Sequence, residues 1–82
     1  MCKIFIIDDD RFFGEMLKHH LQLNPDYEVF LFDTAKDCLA NLFMNPDIIC
    51  IDFGLPDIQG DELFKQIKNL YPDLPIIVIS GQ

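Results

Sequence analysis

Short apolar blocks alternate with amphipathic stretches along this chain. Ile4-Phe5-Ile6-Ile7 is an uninterrupted apolar run that ends at Asp8-Asp9-Asp10. Beyond it, Phe13, Met16, Leu17, His20 and Leu21 recur at i, i+3, i+4, i+7 and i+8, which predicts one face of a helix closed by Asn24-Pro25-Asp26. Tyr27 to Phe32 predicts a second strand. Thr34 follows as an N-cap, with Ala35, Cys38, Leu39, Leu42 and Phe43 as the next helical stripe, broken by Asn45-Pro46-Asp47. A third apolar run, Ile48-Ile49-Cys50-Ile51, ends in Asp52. A loop over 53–59 leads to a third helix from Gly60 to Tyr71, with Leu63, Phe64, Ile67, Leu70 and Tyr71 facing inward. Pro72 and Pro75 bracket a turn before a fourth strand, Ile76-Ile77-Val78-Ile79, and Ser80-Gly81-Gln82 come last. There is no internal repeat and no low-complexity segment.

Strands that alternate with amphipathic helices predict a parallel sheet covered on both faces, with right-handed crossovers. In such a sheet, ligands bind beyond the carboxyl ends of the strands, where strand order reverses. Asp8, Asp9, Asp52 and Ser80 all fall at strand carboxyl ends. If the first and third strands are neighbours, the three carboxylates crowd together, and like charges that close require a held proton or a bound cation. A hard divalent cation with an open coordination position suits an all-oxygen donor set. Asp10 reads as an N-cap, and Asp26, Glu28, Asp33, Asp47 and Asp73 as solubilising charges.

Composition narrows the function classes. Eighty-two residues allow one small domain, and a hydrophobic share of 50% argues for a packed interior. Six basic against fourteen acidic residues give a formal charge of −8, so a nucleic-acid-binding surface is not expected. Cys2, Cys38 and Cys50 share no metal-binding spacing; Cys38 and Cys50 read as small buried hydrophobes, and unpaired thiols predict a reducing cytoplasm. The first apolar run is too short for a signal peptide, and no stretch is long enough to span a bilayer. His19 and His20 are adjacent, so a helix cannot aim both at one metal, and neither is assigned a role.

With IFIIDDD at the first strand, IICIDFGLPDIQG around the third and LPIIVISG at the fourth, the chain resembles the receiver domain of bacterial two-component response regulators over its whole length. The resemblance implies a flavodoxin-like three-layer α/β fold, with the family's strand order 2-1-3-4-5 present here as 2-1-3-4. It implies that Asp52 accepts a phosphoryl group from a histidine kinase or a phosphotransfer protein. Asp8 and Asp9 match the acidic pair that holds Mg²⁺, Asp9 more directly, and Gly54 matches the residue whose backbone carbonyl joins Asp52 at the metal. Ser80 matches the switch hydroxyl that bonds the phosphoryl oxygen. Pro56 and Gly60 match residues that shape the loop and open the third helix.

The chain departs from that pattern in one large respect. Residues 1–82 correspond to the N-terminal portion of a receiver, without the fourth helix, fifth strand and fifth helix. The lysine that pairs with the phosphoryl group goes with them, and none of Lys3, Lys18, Lys36, Lys65 and Lys68 takes its place. Gln59, where the family often has an acid, is a smaller deviation. The free edge of the fourth strand predicts an intertwined or edge-paired dimer. Asp52-Phe53-Gly54 matches the kinase D-F-G only by coincidence, since no Gly-rich loop or H-R-D accompanies it. A haloacid-dehalogenase-type phosphatase would need a second acid where Gly54 stands. The reading is therefore a signalling module and not an enzyme. The alternative is a pseudo-receiver that acts by protein contact alone, for which the joint presence of Asp8, Asp9, Asp52 and Ser80 would have no use. The output domain and cognate kinase are not specified by these residues.

Overall fold

The computed structural model describes residues 1–52, 55 and 58–79. The elements are β1 (Cys2–Ile7), α1 (Arg11–Leu21), β2 (Tyr27–Phe32), α2 (Ala35–Ala40), β3 (Ile48–Asp52), α3 (Gly60–Leu70) and β4 (Ile76–Ile79), with a 3-10 turn over Leu42–Met44. The strands form one parallel sheet in the order β2-β1-β3-β4. This is the expected topology, with β1 and β3 adjacent at the centre.

Alternation along each strand divides the core in two. Phe5, Ile7, Ile49 and Ile51 point to one face, where Ala35 and Cys38 of α2 and Leu63 and Ile67 of α3 close over them. Phe30 and Phe32 of β2 join that layer, and Phe5 meets both rings edge-on at centroid distances of 5.9 and 4.8 Å. Ile4, Ile6 and Val29 point to the other face, against Leu17 and Leu21 of α1. Burial pushes the Cys38 thiol up to about 12 and raises that of Cys50, in keeping with their reading as small hydrophobes.

Three helical details differ from the periodicity. On α1, Phe13 and Met16 are 37% and 52% exposed and His20 is exposed, while Gly14 is buried and Leu17 and Leu21 are half-buried. The helix rests on its Gly14-Leu17-Leu21 line, which the hydrophobic pattern misses because glycine has no side chain to mark it. On α2, Thr34 caps the start as expected, its Oγ1 accepting from Asp37 N at 3.2 Å. The helix nevertheless ends at Ala40, and Phe43, in the 3-10 turn, is 74% exposed. Asn45, the C-cap of that turn, adopts the left-handed conformation (φ 59°) that asparagine tolerates better than most residues. On α3, Leu63 and Ile67 are fully buried, but Leu70 is exposed at the last turn and Tyr71 lies beyond the helix.

The amino ends of the strands are tied by polar contacts. Asp47, expected to be only a solvated charge, accepts from Lys3 N through Oδ2 at 2.7 Å, and its own N donates to Lys3 O at 2.7 Å. Lys3 Nζ donates to Met44 O at 2.8 Å, and Lys68 Nζ donates to Leu74 O at 2.7 Å. Both ammonium groups are thereby held at the opposite end of the sheet from the strand-terminal acids. Among the described residues, no helix is long and apolar enough to cross a membrane.

Candidate functional site

Register carries the first-strand and third-strand acids to the same place. Ile7 pairs with Ile51 across β1 and β3, so Asp8 and Asp52, the next residue on each chain, come level at the carboxyl edge. Neighbouring strands lie about 4.8 Å apart, which is close quarters for two carboxylates. Asp9 follows in the turn to α1. One carboxylate oxygen from each of Asp8, Asp9 and Asp52 lies within 4.8 Å of the others. Their exposure is graded: Asp8 is 6% exposed, Asp52 half-buried and Asp9 open to solvent.

Local hydrogen bonds hold this edge. Asp8 N donates to Phe32 O of β2 at 2.9 Å, which seats the end of β1 in the sheet. Asp8 Oδ1 accepts from Asp10 N at 2.9 Å. Asp10 in turn caps α1, its Oδ1 accepting from Phe13 N at 3.2 Å. The buried carboxylate and the helix start are therefore one hydrogen-bonded unit.

The electrostatics of Asp8 follow from that position. Desolvation by burial raises its carboxyl above the ordinary 3.8; the hydrogen bond from Asp10 N opposes the rise, and the charges of Asp52, Asp10 and Asp9 add to it. Three acidic oxygen donors, one of them buried among like charges, fit a hard cation: it offsets the repulsion, and its preferred ligands are carboxylates, carbonyls and water. Asp8, Asp9 and Asp52 are thus brought together. Gly54, Ser80 and Pro56 lie outside the described residues; Ser80 directly follows Ile79, whose register partner is Asp52.

Two further features were not legible in the sequence. A polar cleft of about 100 Å³ opens on the β2 side of Asp8, lined by Asp8, Arg11, Leu31, Phe32, Asp33 and Asp37. Gly14 lies under the same edge, close to Asp8 and Leu31. Neither has a local pattern that announces it, since both depend on how α1 and the β2–α2 connection sit on the sheet.

Known proteins share this arrangement. Residues 4–82 match the family described as the response regulator receiver domain. The transcriptional regulatory protein DegU of Brevibacillus brevis is 32% identical over 80 residues, which cover 95% of this chain and 34% of that protein. The chain thus spans about a third of that relative's length. The response regulator protein TrrA of Thermotoga maritima, solved in complex with Mg²⁺-BeF, superposes with a TM-score of 0.91 at 29% identity, covering 100% of this chain and 71% of that one. TrrA has also been solved in complex with the histidine kinase ThkA; there the TM-score is 0.90 at 29% identity, and the coverage is 99% of this chain and 70% of that one. A match from the first core residue of β1 through Gln82, over strands in the order 2-1-3-4, leaves a single assignment: the chain belongs to the response regulator receiver domains of two-component signalling.

Proposed function

We propose that Asp52 is a phosphoacceptor, charged by a histidine kinase or phosphotransfer protein with Mg²⁺ held by Asp8, Asp9, Asp52 and the Gly54 carbonyl, and that Ser80 transmits the modified state. The observation that carries this reading is the convergence of the Asp8, Asp9 and Asp52 carboxylates within 4.8 Å at one sheet edge. The Mg²⁺-BeF complex of TrrA and its complex with a kinase lend support by likeness.

In the proposed reaction an Asp52 carboxylate oxygen attacks the phosphorus of a phosphohistidine. The new O–P bond forms as the P–N bond breaks, and the imidazole leaves with the electron pair. The ion, when bound, cancels part of the repulsion between the carboxylate and the incoming phosphoryl oxygens. The chain's own contribution is positioning: register sets Asp52 beside Asp8, and the Asp10 N–H holds the Asp8 carboxylate in one orientation. The product adds charge and strong acceptor oxygens beside Ile79, and a hydroxyl at Ser80 is placed in sequence to receive them. The free edge of β4 is proposed to pair with a second copy of the chain.

The decisive experiment is the intact mass of the 82-residue chain after incubation with acetyl phosphate and Mg²⁺, beside Asp52→Asn. One phosphoryl adduct on the parent and none on the variant is the expected result. It would show that the three carboxylates suffice for phosphotransfer within this 82-residue chain. An unmodified parent would remove autonomous phosphotransfer from this chain, and an adduct on both would move the acceptor elsewhere.

A further inference from the structure

We infer that Gly14 is a positioning residue for the acidic cluster: its missing side chain sets how closely α1 sits on the sheet, and through that where Asp8 and Asp9 point. The inference rests on the metal-binding reading above and adds a residue to it.

Gly14 is buried in the middle of α1, where glycine costs about 1 kcal/mol relative to alanine. A close approach is what it provides in return. A Cβ built there would lie 2.8 Å from Leu31 Cδ1, 3.2 Å from Leu31 Cδ2 and 3.6 Å from Asp8 Cβ. Carbon atoms settle at about 3.5–4.0 Å, so even a methyl group forces Leu31 or the helix to move. Leu31 packs from β2 against Ile4, Ile6 and Val29 beneath α1 on one side and lines the cleft beside Asp8 on the other, so a Leu31 that yields moves into that cleft, next to the acidic cluster.

A shift of the helix at Gly14 cannot stay local. Gly14 N donates to Asp10 O at 2.9 Å, Asp10 caps the helix, and Asp10 N donates to Asp8 Oδ1. The path from Gly14 to the buried carboxylate is two hydrogen bonds long, and Asp9 is joined through the backbone to Asp8 and Asp10 on either side. Mg²⁺ demands near-ideal octahedral geometry at about 2.0–2.1 Å, so sub-ångström displacements of its carboxylates weaken binding.

The test is Mg²⁺ titration calorimetry on the 82-residue chain, with circular dichroism reporting the fold. Gly14→Ala is expected to lose affinity about tenfold while remaining folded. Leu31→Phe, which crowds the same contact from the sheet side with Gly14 intact, is expected to lose it similarly. Combining Gly14→Ala with Leu31→Ala is expected to restore most of the affinity. Wild-type affinity in both crowded variants, or no recovery in the double variant, would overturn the inference and leave Gly14 a packing residue. A wild-type chain that binds no Mg²⁺ would overturn the metal reading itself, which separates the two failures.

Discussion

Asp8 stores a conflict that its neighbours are built around. It is a buried carboxylate with two further acids within 4.8 Å, and the hydrogen bond from Asp10 does not fully offset burial and like charge. The raised carboxyl means that the folded state holds a proton more tightly than the unfolded chain between the ordinary value of 3.8 and the raised one. Metal-free stability attributable to Asp8 therefore falls as pH rises through that window and stays reduced above it. Asp8→Asn keeps an oxygen for the Asp10 N–H and removes the charge. The metal-free variant is expected to melt higher than the parent at neutral pH, and the difference should vanish in acid, as read by thermal melts across pH. Adding Mg²⁺ should reverse the order, because only the parent gains: about 2.7 kcal/mol at a hundredfold excess over its dissociation constant. A parent that stays less stable at saturating Mg²⁺ would count against the metal site.

Among the elements, α2 shows how little local structure a receiver-type connection needs. It has six residues, too few to form alone in water, and depends on the Thr34 cap and on Ala35 and Cys38 packed against the sheet. Thr34→Ala is expected to cost about 1 kcal/mol, or roughly 4–8 °C in melting temperature for a domain of this size. Mg²⁺ affinity should be unchanged, since Thr34 is not one of the three acids that would hold the ion. Helix α1 is the contrasting case. Its cap at Asp10 is part of the site, so anything that moves α1 also moves Asp8, whereas α3 is locked to the far face through Leu63 and Ile67.

At the scale of the whole molecule, the sheet has two edges of different character. β2 carries Glu28 on one edge, while β4 is uncharged and exposes Ile77 and Val78 at 48% and 36%. These two consecutive residues point to opposite faces, so β4 is incompletely covered on both sides. Among the described residues β4 has a strand neighbour on one side, and an apolar edge of this kind templates strand addition. Sedimentation equilibrium of the 82-residue chain is expected to give a dimer mass that shifts toward monomer on Val78→Lys. A monomer at every concentration would remove the edge-pairing proposal.

The order of elements and the residues that carry chemistry are legible in the chain itself. Strand-length apolar runs and 3.6-residue stripes are properties of local geometry, and the strand-terminal placement of Asp8 and Asp52 is visible wherever those runs stop. Which helix face meets the sheet is not local. The stripe through Phe13 and Met16 suggested one face for α1, and packing chose the adjacent line through Gly14, because the side-chain-free position allows the closest approach. The register of β1 on β3, the burial of Asp8 and the cleft beside Leu31 belong only to the tertiary structure. Each depends on contacts between residues far apart in sequence, where a shift of one position would separate the carboxylates that the fold has brought within reach of one another.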